Sequence, residues 1–209
     1  MLFSSILFLF TFLPVTLILY YLVPGKLKNV VLLAASLVFY AWGEPVYIFL
    51  MIFSILFNYI SGLDVARNLG NAGKARKSII FNIVVNMCIL GFFKYEGFLL
   101  GSLNAILPVD IPYRELPLPI GISFYTFQTL SYVIDVYRGN VRVQRSLLDF
   151  ALYVTMFPQL IAGPIVKYAD IARQLRSRKM GWGKFGDGVM YFIRGLSKKV
   201  LLANTIGMV

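Results

Sequence analysis

Histidine is absent from all 209 residues, and cysteine occurs once, at Cys88. Those two gaps prevent the chain from building, by itself, a Cys/His zinc site, a Cys–His nucleophilic pair or a Ser-His-Asp triad. A lone cysteine also excludes an intrachain disulfide, and its position inside an apolar run predicts a buried, unreactive thiol. Carboxylates are scarce: nine Asp and Glu face twenty Lys and Arg, for a formal net charge of +11. Charged residues make up only 14% of the chain, against 59% hydrophobic and 16% aromatic, which excludes a soluble globular domain and marks an integral membrane protein. Excess positive charge can signal a nucleic-acid partner, but here Lys and Arg fall between apolar stretches and form no single basic face, so no nucleic-acid binding is expected. No metal site and no bound cofactor is expected either.

What is present is a succession of apolar runs. Residues 3–22 supply nearly uncharged sequence long enough to cross a hydrocarbon core of ~30 Å. Without a positive start or a small-residue cleavage site they read as a retained first span rather than a signal peptide. Residues 29–41 read as a second span ending in Tyr40 and Trp42, aromatics suited to the membrane interface, and Gly43-Glu44-Pro45 turns the chain into a third span over 46–60. Residues 67–77 carry Arg67, Lys74, Arg76 and Lys77 and read as a polar loop, cytoplasmic by the positive-inside rule. Residues 78–93 form a fourth span, with Asn82 and Asn86 one turn apart and placed to hydrogen-bond a neighbouring helix. From 94 to 119 the pattern is mixed: 98–107 is too short to span, and Pro108, Pro112, Pro117 and Pro119 mark an irregular outer connection.

Two stretches point to a site. Residues 120–136 read as a fifth span in which Gly121, Tyr125, Gln128, Tyr132 and Asp135 fall within an arc of about 80°. Such a stripe faces the bundle interior or a watery path, because lipid contact would cost several kcal/mol for Asp135 alone. The other placement for Asp135 is the helix end, beside Arg138. The second stretch, Phe157-Pro158-Gln159-Leu160-Ile161-Ala162-Gly163-Pro164-Ile165-Val166, is apolar but broken by two prolines and a glycine. Non-helical backbone at membrane depth survives only where protein buries it or a cavity adjoins it. Both of its flanks are basic, with Arg138, Arg142 and Arg145 before and Lys167, Arg173, Arg176, Arg178 and Lys179 after. A full crossing would leave one basic loop outside, whereas a re-entrant segment keeps both cytoplasmic. The basic loops orient the chain and touch anionic lipid headgroups, at ~1 kcal/mol per cation. Residues 182–209 carry Arg194, Lys198 and Lys199 in an apolar helix, which either lies at the interface or spans with its basic face covered by partners. The fold expected is all-α: a polytopic membrane helical bundle of about six spans, with a re-entrant segment near 147–166, as a single membrane domain over 1–209.

The run Leu118-Pro119-Ile120-Gly121-Ile122-Ser123-Phe124-Tyr125-Thr126-Phe127-Gln128, continued by Tyr132-Val133-Ile134-Asp135-Val136-Tyr137-Arg138-Gly139, resembles the membrane-bound O-acyltransferase family in its bacterial alginate O-acetyltransferase branch. So do Phe157-Pro158-Gln159-Leu160-Ile161-Ala162-Gly163-Pro164-Ile165, Arg194-Gly195-Leu196-Ser197-Lys198-Lys199-Val200 and Phe39-Tyr40-Ala41-Trp42-Gly43. The resemblance implies a multi-pass protein of the bacterial cytoplasmic (inner) membrane. It implies an acyl group, usually acetyl, supplied from the cytoplasmic side by acetyl-CoA or another acyl carrier. The acceptor would be a hydroxyl of an exported polysaccharide or cell-wall polymer, and periplasmic or extracellular acetylation proteins would be partners. It also implies longer members whose catalytic histidine lies further along, so these residues read as the amino-terminal part, inactive alone.

Attack by a sugar hydroxyl needs a base with a pKa near the working pH, worth ~10²–10⁴-fold. Asp135 and Glu96 have no second member of a catalytic pair, Ser123 and Cys88 have no base beside them, and Gly121-Ile122-Ser123-Phe124-Tyr125 lacks the second glycine of a nucleophile elbow. No catalytic residue is assigned. Tyr125, Gln128, Tyr132 and Asp135 are assigned to line a path, and Gln159, Gly163 and Pro164 to shape a funnel wall. An acidic acyl donor at Arg173 or Arg176 is a further possibility. Two other readings stand: a non-catalytic membrane subunit or transport-like bundle, and a structural bundle in which the stripe is only helix glue.

Overall fold

A computed structural model describes residues 4–106, 117–160, 165–178, 181–203 and 206, and all regular structure among them is helical. α1 (Phe8–Leu22) opens with a π-helical turn and carries Pro14 in the first turn of its α-helical part, where the missing N–H is tolerated. It ends at Val23, held extended ahead of Pro24. A 3₁₀ turn at Gly25–Leu27 leads into α2 (Lys28–Gly43), and α3 (Ile48–Asn68) runs back. α4 (Ala72–Ile106) follows, then α5 (Ile122–Tyr137), the short α6 (Leu147–Thr155) and α7 (Phe157–Leu160), α8 (Tyr168–Arg176) and α9 (Trp182–Ser197), which continues into a π-helical turn at Lys198–Ala203.

α3 and α4 are each long and apolar enough to cross a membrane, at 21 and 35 residues. At 1.5 Å per residue α4 measures ~52 Å, well beyond a ~30 Å hydrocarbon core. Two expectations fail here. The stretch 67–77 is not a loop, because α3 runs to Asn68 and α4 starts at Ala72, with the Asn71 side chain accepting the Lys74 N–H at 3.1 Å as a cap. Nor does helix end near residue 94. No proline falls between Ala72 and Ile106, so nothing interrupts the backbone ladder, and Lys94 rests over the Tyr95 ring at 5.6 Å. Of the expected proline-rich connection, residues 107–116 lie outside the described residues.

Asn82 and Asn86 do bond a neighbouring helix. Asn58 of α3 and Asn86 exchange amide bonds at 3.1 and 3.0 Å, and the Asn82 amide donates to the same Asn58 oxygen at 2.9 Å. All three are buried, and interhelical bonds of this kind contribute ~0.6–2 kcal/mol each. α3 also approaches α5 closely. A Cβ on Gly62 would lie 2.9 Å from the Tyr132 ring, so only glycine fits without displacing it.

Cys88 is exposed, not buried. It stands two residues from Asn86 on a helix, roughly 200° around from that buried face, and in a membrane bundle the apolar side turned away from protein meets lipid. Of the two aromatics expected at the interface, Tyr40 is buried in protein and Trp42 is exposed. α9 is exposed along nearly its whole length, Arg194 included. Asn58→Ala should strand two buried amides and cost about 1–3 kcal/mol. A lowered thermal midpoint in detergent, against little change for Asn68→Ala at the helix end, is the expected result.

Candidate functional site

The broken segment organises its surroundings through the hydrogen bonds it fails to make. A helix continued through Pro158 would press the proline ring against the Val154 carbonyl. The chain instead leaves helical geometry at Met156 (φ −47°, ψ 110°) and restarts at Phe157. That break leaves the Tyr153 carbonyl and the Phe157 N–H without their helical partners. Gln128 of α5 donates its amide to the Tyr153 carbonyl at 2.9 Å, and Gln159 donates to the same oxygen at 2.8 Å. The Phe157 N–H donates to Ser36 Oγ of α2 at 3.2 Å. The Tyr153 hydroxyl lies 3.0 Å from the Val166 carbonyl oxygen, so this one residue holds the segment on both sides of the break.

Around Tyr153 stands an aromatic cluster. Tyr132 packs on Phe150 and Tyr168 with ring centroids 4.9 and 5.0 Å apart, and Tyr153 on Tyr168 at 5.3 Å. The Tyr132 hydroxyl accepts the Gln144 N–H at 2.9 Å, tying α5 to the connection before α6. Burial pushes the Tyr168 hydroxyl up from the usual tyrosine range, with the Arg176 guanidinium pulling the other way, so it stays neutral near pH 7. The Tyr168 hydroxyl and the Gln144 amide nitrogen face one another without an aligned bond.

At the other end of α5, Gly121 takes a left-handed conformation (φ 77°), and a Cβ there would lie 3.0 Å from the Leu160 carbonyl oxygen. Tyr40 donates its hydroxyl to the Ile120 carbonyl at 3.1 Å, and the buried Tyr125 hydroxyl stands beside Tyr40 without an aligned partner. Phe157 enters a box formed by Phe8, Phe12 and Phe39, with centroids 5.3–6.1 Å from its ring. Both limbs of the segment therefore meet α5 near Tyr132, through Gln144 before it and Tyr168 after it, while Leu160 reaches the start of α5. The chain enters and leaves on one side, as a re-entrant hairpin does.

The sequence-assigned residues separate into three groups. Tyr125, Gln128 and Tyr132 share one buried face of α5, and Gln159 joins them through the Tyr153 carbonyl. Asp135 sits apart in the last turn, where its carboxylate accepts from Asn140 at 3.1 Å. Gly163 and Pro164 lie outside the described residues. The face is broader than the polar stripe: Ile122, Leu130 and Val133 are buried with it, and only Phe124 and Phe127 turn outward. Tyr153, Tyr168, Gln144 and Ser36 were not singled out from sequence. The visible signal for Tyr153 is that it is one of only two hydroxyl-bearing residues, with Thr155, in the apolar run 147–166. No group of three or more His, Cys, Asp and Glu able to hold a metal occurs among the described residues.

The stretches that carry the resemblance thus meet in space. Phe39 and Tyr40, the start of α5, and Phe157 to Leu160 are mutual neighbours, whereas Arg194 to Val200 stays on exposed helix. Across known proteins the same chain is 43% identical over 210 residues to a probable alginate O-acetylase, AlgI, of Pseudomonas aeruginosa, covering 99% of this chain and 40% of that protein. It is 42% identical over 210 residues to the Azotobacter vinelandii protein of the same name, covering 99% and 42%. A peptidoglycan O-acetyltransferase of Helicobacter pylori is 34% identical over 236 residues, covering 98% of this chain and 45% of that protein. The chain spans less than half the length of these relatives. No family model and no solved structure matches.

Gly121→Ala should cost more than the ~1–2 kcal/mol of left-handed strain, because the added methyl also meets the Leu160 carbonyl. Gly139→Ala (φ 74°) has open space around it and bears the strain alone. Thermal midpoints of the two variants, with Gly121→Ala the lower, check this.

Proposed function

We propose that this chain, AlgI-like in sequence from end to end, forms part of a membrane O-acyltransferase. The reaction passes an acyl group, usually acetyl, to hydroxyls of an exported polysaccharide or cell-wall polymer. The donor is acetyl-CoA or another acyl carrier on the cytoplasmic side, the location is the bacterial inner membrane, and periplasmic or extracellular acetylation proteins are partners. The observation that carries this reading is the meeting of three resemblance-bearing stretches, the outer two more than a hundred residues apart, around the Phe157–Leu160 turn. The names of its relatives, alginate O-acetylase and peptidoglycan O-acetyltransferase, add the O-acetyl chemistry.

Within that reaction the residues here hold a wall. Gln128 and Gln159 fix the Tyr153 carbonyl, and Tyr132, Tyr153 and Tyr168 set the shape of the segment behind it. Proton transfer from the acceptor hydroxyl calls for a group near neutrality. With no histidine in the sequence, that base comes from outside these 209 residues. The missing histidine also favours a second reading, a non-catalytic membrane subunit. A transport-like passage has less support, since Tyr125, Gln128 and Tyr132 are packed against protein.

In cells making this protein, Gln159→Ala should lower radiolabelled acetyl incorporation into polymer by about 10- to 100-fold, the scale of a small misplacement in an active site, with protein level unchanged. Equal loss of protein and activity would reduce Gln159 to a structural role. Polymer acetylation unaffected by deleting the gene for this protein would remove the acyltransferase reading.

A further inference from the structure

Away from this wall, the turn between α1 and α2 meets the end of α8 around a cleft of about 530 Å³. Four cations line it, Lys26 and Lys28 from the turn and Arg176 and Arg178 from the far side, against one carboxylate, Asp149. That carboxylate already accepts the Asn29 amide at 2.7 Å, and the same amide donates to the Leu175 carbonyl at 2.9 Å. The beginnings of α2 and α6 and the end of α8 are thereby tied together, so the cleft is a fixed feature and its field is strongly positive. Tyr20 forms part of its wall: Lys28 lies 5.0 Å and Arg178 6.0 Å from the ring centroid, and Arg178 donates to the Tyr20 hydroxyl at 3.3 Å.

The next residue belongs to a different surface. Tyr21, its ring 5.4 Å from that of Tyr20, lines an apolar groove of about 670 Å³ with Leu17, Ile18 and Leu22 of α1 and Trp182 and Phe185 of α9. The Tyr21 and Phe185 rings are 5.8 Å apart. A phosphate-seeking cleft and a hydrocarbon-seeking groove thus share the last turn of α1.

We propose that cleft and groove form one site for an anionic glycerophospholipid, its phosphate among Lys26, Lys28, Arg176 and Arg178 and one acyl chain along α1 and α9. A soluble phosphate ester would satisfy the cleft alone. The adjoining groove lies beside the membrane segment α1, where a ligand must itself reside in the bilayer, and this selects a lipid. Scattered surface attraction differs from such a site in one measurable respect: it depends on total charge and not on which cations are present.

The protein is extracted in detergent and titrated with dipalmitoyl phosphatidylglycerol under native mass spectrometry. One lipid should be retained per chain. Lys26→Gln with Arg176→Gln, both exposed, should weaken retention about tenfold or more, while Arg138→Gln with Arg142→Gln, an equal loss of charge elsewhere, should not. Dihexanoyl phosphatidylglycerol should bind at least about tenfold less tightly, and Phe185→Ala should narrow that difference, since each buried methylene contributes ~0.8 kcal/mol to the longer chain. Absence of retained lipid, equal weakening by the two charge pairs, or equal affinity for short and long chains would overturn the proposal. So would release of the lipid by coenzyme A or inorganic phosphate at matched concentration, which would assign the cleft to a soluble phosphate ligand.

Discussion

Two backbone groups without helical partners, the Tyr153 carbonyl and the Phe157 N–H, are what the centre of this structure is built to satisfy. Both residues are buried, and an unpaired buried peptide group costs roughly 1–3 kcal/mol or more. Pro158 creates the problem, and three side chains from three elements solve it: Gln128, Gln159 and Ser36. Each of these is neutral. An amide or hydroxyl can complete a peptide hydrogen bond without the desolvation cost that an ion would carry in the same place. Asp135, the one carboxylate of the α5 stripe, stands at the helix end instead.

The aromatic residues extend this local solution into a fold. Tyr132, Phe150, Tyr153 and Tyr168 form one cluster beside the break, and Phe8, Phe12, Phe39 and Phe157 another on its far side, so rings from six elements meet at the hairpin. Paired aromatics contribute ~0.5–1.5 kcal/mol each beyond area burial. The approach needed for such contacts explains two glycines. Gly62 lets α3 lie against the Tyr132 ring, and Gly121 lets Leu160 reach the start of α5.

Periodicity made part of this legible in advance. Asn82 and Asn86, spaced one turn apart in an apolar run, had to face protein, and so did Tyr125, Gln128 and Tyr132. Their partners were not legible, because Asn58 and Tyr153 are 24 and 25 residues away, and nothing in a single sequence pairs them. Composition misled where a loop over 67–77 was read from its cations together with Gly70, Asn71 and Gly73. Arg67, Lys74, Arg76 and Lys77 sit on helix ends, where Lys and Arg reach outward while the backbone stays helical. Cys88 misled in the opposite direction, since apolar surroundings in a membrane protein include lipid.

Sidedness follows from joining the charges to the contacts. The α1–α2 turn with Lys26 and Lys28 meets Arg176 and Arg178 of the α8 region, and Tyr59 of α3 donates to the Arg145 carbonyl before α6. At the opposite end of α5, Glu44 accepts the Ile120 N–H, and Tyr40 reaches the neighbouring carbonyl. The basic ends are therefore physical neighbours on one side, the side that the proposed orientation places in the cytoplasm. The hairpin departs from that side and carries Leu160 to the opposite end of α5, ~20 Å away along residues 147–160. For the proposed acyl transfer this geometry has a specific use. A donor on the basic side and an acceptor polymer on the other must meet within the membrane. A segment anchored on the donor side, with its tip reaching toward the acceptor side, supplies a fixed wall along which that meeting can take place. The neutral amides that hold the wall leave any charge that develops in the reaction to be handled by whatever packs against it.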